Sequence, residues 1–207
     1  MNQSVHSYYI STFYHFFPLS ELETVKTELK AIAEKHKTLG LIVIGPEGFN
    51  STVSAESAEN LAAFKESLQK HYGITISNFK DSFSDVPPFR RFSVKVREEI
   101  VTAGIPGRSP EPGINHHLSA EEWDRVLKNE KNFALIDTRN WYEYKIGTFK
   151  GAINPNIEKF TEFPAFFESQ QIPKDKKILI FCTGGIRCEK GILELQDKGY
   201  KNVFQLD

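Results

Sequence analysis

A segment rich in proline and glycine near the middle of the chain constrains the fold more than any other feature. The segment reads TAGIPGRSPEPGINHH over residues 102–117 and contains three prolines and three glycines. Such a composition has no helical period and is typical of a linker or a long loop. The sequence therefore predicts two domains, residues 1–101 and 118–207, joined by a linker at residues 102–117.

The N-terminal half alternates between strand and helix patterns. Aromatic and apolar runs favour strands, and apolar residues three or four apart favour helices. Ser20 and Glu23 have the spacing of a capping box at the start of the first helix. The predicted strands are Ser7–Phe17, Leu39–Gly45, Phe49–Ala55, Ile74–Lys80 and Arg90–Val101, and the predicted helices are Ser20–His36 and Ser57–Gly73. This β-α-β-β-α-β order with an extra strand predicts an α+β domain of the ferredoxin-like, or split βαβ, kind.

The C-terminal half has continuous apolar strands between amphipathic helices. Ser119 and Glu122 again have capping-box spacing. The predicted helices are Ser119–Asn129, Asn140–Gly147, Glu162–Ile172 and Arg187–Tyr200, and the predicted strands are Phe133–Asn140, Ala152–Ile157, Lys176–Cys182 and Asn202–Leu206. Strands that are apolar throughout are buried on both faces, so this half predicts an α/β domain with a parallel sheet.

The overall composition excludes several classes of protein. With 26 Lys and Arg against 27 Asp and Glu, the net charge is −1, so any binding to nucleic acid needs a local basic patch. No apolar run approaches the roughly 20 residues of a membrane span. The start, MNQSVHSYYI, lacks the pattern of a secretory signal. Only two cysteines occur, with five residues between them, which favours reactive thiols in a reducing compartment. We therefore expect a cytoplasmic protein.

Both cysteines lie in FCTGGIRCEK, residues 181–190, where an apolar strand runs into a glycine-rich turn and then a helix. Sites in parallel α/β sheets form at the carboxyl ends of strands, which is the position of Cys182. Backbone N–H groups and a helix N-terminus favour an anion there, so the pKa of the thiol should fall and its reactivity rise. The sequence predicts Cys182 as the catalytic residue, surrounded by the loop residues Thr183, Gly184, Gly185, Ile186 and Arg187.

The length of this loop narrows the chemistry. Four residues separate Cys182 from Arg187. A loop this short fits a thiolate, or a sulfur or oxygen bound to it, whereas a loop one residue longer better surrounds a tetrahedral phosphate. The spacing therefore argues against a tyrosine phosphatase. Cys188 follows in the first turn of the helix, where it either packs in the core or acts as a second, resolving thiol. From these residues alone, sulfur transfer is the simplest chemistry.

Three polar residues could support the loop. Asp137 and Arg139 end a predicted strand at the same edge of the sheet as Cys182. They either form a network that positions the cysteine loop or form an ion pair that ties the strand end to the next helix. Glu143 either pairs with Arg187 and fixes the loop or lies on a solvated helix face.

A basic face is predicted in the first domain. Arg91, Lys95 and Arg97 alternate with apolar residues, so a strand would place all three on one side. These residues either contact RNA phosphates or protect an edge strand by their charge. No histidine stands at metal-ligand spacing with cysteine or carboxylate, and no glycine-rich nucleotide motif follows a strand. The sequence therefore predicts no metal and no identifiable cofactor.

Several motifs together resemble a known family. IDTRNWYEYKIGTFKGAINPN, residues 136–156, followed by the cysteine loop, resembles a rhodanese-homology domain. GPEGFNSTVS, residues 45–54, and PFRRFSVKVREEIVTAGIP, residues 88–106, resemble the oxygen-dependent tRNA uridine hydroxylases, whose rhodanese-homology domain follows a ferredoxin-like one. Members of that family usually continue past the last rhodanese strand. The second domain is therefore expected to be truncated, and incomplete, at its C-terminus.

The resemblance implies an enzyme that converts the wobble uridine of tRNA to 5-hydroxyuridine with molecular oxygen as co-substrate. It implies tRNA as partner, held by the N-terminal domain and linker, and Cys182 as the reactive residue. Three roles stay open for Cys182: a persulfide, an oxidised sulfur, or addition to the uracil base. The alternative is a thiosulfate-type sulfurtransferase that carries a persulfide on Cys182. A non-catalytic binding module would have no need of the thiol. The oligomeric state stays open.

Overall fold

A computed structural model describes residues 8–111 and 116–207. The predicted N-terminal segment before Tyr8 and the predicted linker residues 112–115 lie outside these ranges. The chain forms two compact units, which divide between Ile100 and Val101. Within the described ranges, no helix has the length and apolar character needed to cross a membrane.

The first unit is a five-stranded sheet with two helices. Its elements are β1 (Tyr8–Phe16), α1 (Leu22–Lys35), β2 (Leu39–Gly45), β3 (Gly48–Ala55), α2 (Ala58–Tyr72), β4 (Lys80–Ser84) and β5 (Phe92–Val96). The strand order is β4-β1-β3-β2-β5, antiparallel except that β5 runs parallel to β2. The first four strands with the two helices have the split βαβ arrangement, which confirms the predicted fold class. The extra strand, β5, lies at the edge of the sheet.

The spacing of apolar residues in the two helices explains how the helices pack against the sheet. Leu29 of α1 and Phe64 and Leu68 of α2 are fully buried in one core with the sheet. From the sheet, Phe13 of β1 meets Phe49 of β3 edge to face, with ring centroids 5.9 Å apart. Apolar residues recur every three to four positions in the helices and every second position in the strands, so both sets of side chains face the same core layer.

The predicted capping box at Ser20 is wrong. The first helix begins at Leu22, and the residue before it, Glu21, has a left-handed backbone with φ 50° and caps nothing with its side chain. The cause lies just upstream, where the N–H of Leu19 donates to the Pro46 carbonyl at 2.9 Å. That bond holds the chain along the β2–β3 hairpin, so the helix starts later than the local pattern indicates.

Two predicted strands of the first unit have different bounds. Ile74–Lys80 is not a strand, because N–H groups of this segment hydrogen-bond to the end of α2. The Ile74 N–H donates to the Gln69 carbonyl, and the Ile76 N–H donates to the Gln69 side chain. Sheet pairing begins only at Lys80. The strand predicted at Arg90–Val101 is confined to β5.

The second unit is a four-stranded parallel sheet with helices, as predicted. Its elements are β6 (His116–Leu118), α3 (Ala120–Asn129), β7 (Phe133–Asp137), α4 (Trp141–Ile146), α5 (Phe163–Ser169), β8 (Lys177–Phe181), α6 (Ile186–Asp197) and β9 (Val203–Leu206), with a 3-10 turn at Phe160–Glu162. The strand order is β6-β9-β8-β7. The capping box of Ser119 and Glu122 forms as predicted.

Three local predictions in the second unit need correction. His116 and His117, assigned to the linker by composition, form β6 and pair with β9. The strand predicted at Ala152–Ile157 is reduced to a single bridge from Ile153 to β7, since Pro155, two residues after Ile153, lacks an N–H. The helix predicted at Glu162–Ile172 ends at Ser169.

The sheet of this unit is covered on both faces. Ile136, Ile178 and Ile180 face a core that includes α6, whereas Leu179 and Phe181 face Trp123 of α3. This explains why β8 reads as one continuous apolar run. Because Asp137 and Phe181 are register partners, β7 and β8 end side by side. The residues that follow both strands therefore meet at one edge of the sheet.

Helix capping gives a stability test with a matched control. Ser57 caps α2, its Oγ accepting the Asn60 N–H at 3.2 Å, whereas Ser20 is exposed and caps nothing. Ser57→Ala should lower the free energy of unfolding by about 1 kcal/mol. Ser20→Ala should change it by less than about 0.5 kcal/mol, as for other exposed sites. Urea denaturation followed by circular dichroism measures both. Equal losses in the two variants would contradict this assignment of the caps.

Candidate active site

Cys182 stands between the last residue of β8 and the first turn of α6. The turn is made by Gly185, whose φ of 92° lies in the left-handed region that favours glycine. Gly184 has no such φ, and a Cβ placed on it would meet no atom within 4 Å. The sharp turn from strand to helix thus depends on one of the two glycines, and it aims the loop amides toward Cys182.

The Cys182 sulfur is surrounded by donors. The Gly185 N–H donates to Sγ at 3.0 Å, and the backbone N–H groups of Gly184 and Cys188 lie near enough to lower the pKa of the thiol. The positive charge of the nearby Arg187 guanidinium also lowers the pKa of Cys182. The Gly185 amide thus faces the sulfur as one member of the predicted cradle of loop amides. Cys182 itself is half-buried.

These donors shift the ionisation of Cys182. The hydrogen bond from the Cys188 side chain has the largest effect on its pKa, burial opposes that effect, and the charge of Arg187 and the backbone N–H groups add to it. Together they lower the pKa of Cys182 from 9.0 to about 5. Near neutral pH, Cys182 is therefore a thiolate.

Cys188 has the opposite character. It is fully buried, and this burial, together with its hydrogen bond to Cys182, raises the pKa of Cys188 well above its ordinary value. Its Sγ lies 3.5 Å from the hydroxyl of Thr138, which donates its own hydrogen to the Phe181 carbonyl at 2.9 Å. The Thr138 hydroxyl therefore has no hydrogen left for Cys188. In its contact with Thr138, Cys188 can therefore act only as the donor, so its single S–H is given either to the Thr138 oxygen or to the Cys182 thiolate.

Glu143 joins α4 to the cysteine loop. Its two carboxylate oxygens accept from Arg187 Nη1 and Nη2 at 2.6 and 2.8 Å, and from the Thr183 hydroxyl at 2.6 Å. Burial would raise the pKa of Glu143, but the hydrogen bonds and charge of Arg187 and the Thr183 bond outweigh it and hold that pKa at about 2. Of the two alternatives for Glu143, the structure has the pair with Arg187.

Asp137 and Arg139 form a separate network. Arg139 Nε and Nη2 donate to the buried Asp137 carboxylate at 2.9 and 2.7 Å. Arg139 Nη2 also donates to the Gly147 carbonyl at 2.5 Å, and the Thr148 hydroxyl donates to Asp137 at 2.9 Å. The pair thus ties the end of β7 to the residues that follow α4. These contacts correspond to the ion-pair alternative.

The basic face lies in the first unit, on the edge strand. Lys95 belongs to β5, and Arg91 and Arg97 flank it; all three are exposed. The predicted alternation holds, because Val94 between them is buried. This geometry fits both alternatives, RNA contact and protection of a sheet edge.

Sequence reasoning missed Thr138. Its hydroxyl is buried between the end of β8 and Cys188, yet a threonine next to Asp137 at a strand end carries no distinctive pattern. Only the parallel pairing of β7 with β8 brings it to the two cysteines. Among the described residues, no group of three or more His, Cys, Asp or Glu could hold a metal ion.

Both halves of the chain are similar to known protein domains. Residues 8–100 match the UPF0176 acylphosphatase like domain, and residues 119–207 match the Rhodanese-like domain. A protein of Legionella pneumophila, named tRNA uridine(34) hydroxylase, is 39% identical over 198 residues, which cover 95% of this chain and 77% of the relative. The chain belongs to the tRNA uridine(34) hydroxylase family.

Two other relatives with the same name differ in how much of them the chain covers. The protein of Bdellovibrio bacteriovorus is 59% identical over 207 residues, all of this chain and 59% of the relative. The protein of Prochlorococcus marinus is 36% identical over 208 residues, 97% of this chain and 66% of the relative. The chain thus spans between about three fifths and three quarters of these hydroxylase-family relatives, and the similarity extends over both units.

The contact between the two sulfurs gives a direct test of how Cys182 is ionised. The rate of iodoacetamide alkylation of Cys182 should be constant above about pH 6 and fall through an inflection at about pH 5. In Cys188→Ala the main donor is absent, so the inflection should move to higher pH.

Cys188→Ser is the matched control, because the serine hydroxyl can still donate to the thiolate. The inflection of this variant should lie between those of the wild type and Cys188→Ala. Alkylation is followed by mass spectrometry, which assigns the label to Cys182 or Cys188. An inflection in Cys188→Ala equal to that of the wild type would show that Cys188 does not stabilise the thiolate.

Proposed function

We propose that this chain hydroxylates uridine 34, the wobble position of tRNA, to 5-hydroxyuridine with molecular oxygen in the cytoplasm. The observation that carries the proposal is the similarity to proteins named tRNA uridine(34) hydroxylase, which extends over both units and not over the rhodanese-like half alone. The thiolate built at Cys182 supports it, since the family likeness and the reactive residue coincide in one loop.

In this proposal Cys182 is the nucleophile. C6 of uracil is the electrophilic end of a double bond conjugated to the C4 carbonyl, so a thiolate can add to it. Addition makes C5 an electron-rich enolate carbon, and C5 is the atom that carries the hydroxyl in the product. One atom of O2 becomes that hydroxyl and the other leaves as water, which consumes two electrons from a reductant. Loss of the C5 proton and of the Cys182 thiolate from C6 then restores the ring. A thiolate already formed at neutral pH meets the first requirement of the addition step.

The neighbouring residues have separate roles in this chemistry. Cys188 keeps Cys182 ionised by donating its S–H, and Gly185 and the other loop amides stabilise the same charge. Arg187 faces the sulfur with its positive charge, and Glu143 fixes the guanidinium from the opposite side. Asp137, Arg139 and Thr183 support the fold of the loop and its neighbours.

Binding of tRNA requires a local basic surface, since the whole chain has a net charge of −1. The exposed face formed by Arg91, Lys95 and Arg97 meets this requirement in the first unit. We assign it contacts to the phosphates of the anticodon arm, which give affinity and position but not sequence specificity.

The sulfurtransferase alternative is the less favoured one. A persulfide carried on Cys182 needs only the rhodanese-like unit, whereas the similarity to the hydroxylase family includes residues of the first unit. A cyanide–thiosulfate assay on the pure protein distinguishes the two, because only a sulfurtransferase should form thiocyanate at a substantial rate.

Nucleoside mass spectrometry tests the proposed reaction. In cells that lack the gene, 5-hydroxyuridine in tRNA should fall, and the wild-type gene should restore it. Cys182→Ser should restore less than about 1% of it, because a serine hydroxyl is not ionised near neutral pH. Cys188→Ser serves as the control that removes the other thiol and should retain a large part of the product. An unchanged level of 5-hydroxyuridine in the deletion strain would refute the function, and full restoration by Cys182→Ser would refute the role of the cysteine.

The salt dependence of tRNA binding tests the basic face. Removing one phosphate-binding side chain should reduce the slope of log Kd against log salt by about 0.7 to 0.9. We expect this in Arg91→Ala and in Lys95→Ala. Lys131→Ala removes an exposed lysine from the second unit, before β7, and should leave the slope unchanged. If all three variants keep the wild-type slope, the basic face protects the edge strand and does not bind RNA.

A further inference from the structure

The residues that end and follow α4 form an exposed apolar and basic surface. Every residue from 145 to 151 is exposed, and Ile146, at 87%, is the most exposed large apolar residue of the described ranges. Tyr142 is 54% exposed and Phe149 36%. We call this surface the α4 ridge, defined by Tyr142, Lys145, Ile146, Phe149 and Lys150.

The α4 ridge lies beside the cysteine loop. Glu143, one residue after Tyr142, is bonded to Arg187 and Thr183 of that loop. At the far end of the ridge, the Phe149 ring packs edge-on against Phe181, the residue before Cys182, with centroids 4.8 Å apart. Two independent contacts thus hold the ridge next to the reactive sulfur.

The ridge is fixed from beneath. Arg139 donates to the Gly147 carbonyl, and Thr148 donates to the buried carboxylate of Asp137. The contacts of the Asp137–Arg139 pair therefore go to the ridge and not to the Cys182 sulfur. Holding the ridge in place accounts for this pair better than support of the cysteine loop does. An exposed apolar segment held in one shape binds with little loss of conformational freedom.

The chemistry of the ridge fits unpaired RNA. Tyr142 and Ile146 are four residues apart, so they lie on one face of α4 and offer a flat apolar surface. The Lys145 ammonium lies 4.2 Å from the Trp141 ring centroid, and Lys150 is exposed with no hydrogen bond or ion pair to any described residue. Glu143, the one acidic residue of α4, is neutralised by Arg187. Aromatic surface for bases with lysine for phosphates is how proteins bind single-stranded nucleic acid.

We propose that the α4 ridge binds the unpaired nucleotides that flank the target uridine in the anticodon loop, with Tyr142 stacking on a base and Lys150 contacting a phosphate. The inference rests on the proposed function for its substrate, and it names the surface that presents that substrate to Cys182.

Binding of an anticodon stem-loop RNA, measured over a series of salt concentrations, tests the ridge. Tyr142→Ala should raise Kd about tenfold and leave the salt slope unchanged, because stacking involves no counterions. Lys150→Ala should reduce the slope by about 0.7, the value for one phosphate contact on a single strand. A fully paired RNA hairpin stem of equal length should bind Tyr142→Ala as well as it binds the wild type, because its bases are not free to stack.

Two controls match these variants. Val86→Ala removes an exposed apolar side chain of the first unit, 67% exposed, and Lys131→Ala removes an exposed lysine that precedes β7, at the opposite end of the parallel sheet from Cys182. Neither should change stem-loop binding. The alkylation profile of Cys182 in Tyr142→Ala should equal that of the wild type, which shows that the loop is intact.

The two proposals fail in different ways. If the wild type forms 5-hydroxyuridine while Tyr142→Ala and Lys150→Ala bind and react like the wild type, the ridge proposal is overturned and the surface is left for a protein partner. If the ridge variants lose stem-loop binding as expected but the deletion strain keeps its 5-hydroxyuridine, the ridge is an RNA surface and the proposed reaction is wrong.

Discussion

The ion pair between Glu143 and Arg187 is the interaction on which the rest of the candidate site depends. It connects the helix that follows β7 to the helix that follows β8, and it does so within hydrogen-bond distance of the cysteine loop. Both side chains are only 16% exposed, so each charge needs the other. Removing either one would leave a mostly buried charge without its partner, which is among the most destabilising of single changes. The same bond also turns the guanidinium toward Cys182.

Around this pair, the site separates two chemically identical groups into different states. Cys182 accepts hydrogen bonds and carries the charge, whereas Cys188 is buried and keeps its proton. Each state supports the other, since the proton of Cys188 stabilises the thiolate and the thiolate discourages ionisation of Cys188. Two thiols in one short loop are therefore a donor and an acceptor. For Cys188 to act as a resolving thiol, it would also have to act as a nucleophile, and its raised pKa opposes this.

Much of this arrangement could be predicted from local sequence signals. The cap at Ser119 and the strand-turn-helix around Cys182 depend on neighbours in the chain, and each appears where the pattern places it. The predicted cap at Ser20 failed because a distant hairpin holds the preceding residues. Thr138 and the partner of Glu143 depend on which strands pair, and no local period carries that information. For the same reason, the sequence does not show which residues the Asp137–Arg139 pair contacts.

The two glycines of the cysteine loop differ in whether a side chain can replace them. Gly185 has the left-handed backbone that makes the turn, so any L side chain there adds strain of order 1 kcal/mol or more and shifts the amide that faces the sulfur. Gly184 has open space where a Cβ would be. The shape of the cradle is thus encoded at one position, while the adjacent one is free to accept a side chain. For protein engineering, Gly184 is the place to add a group that selects which molecules approach the thiolate without rebuilding the loop that creates it.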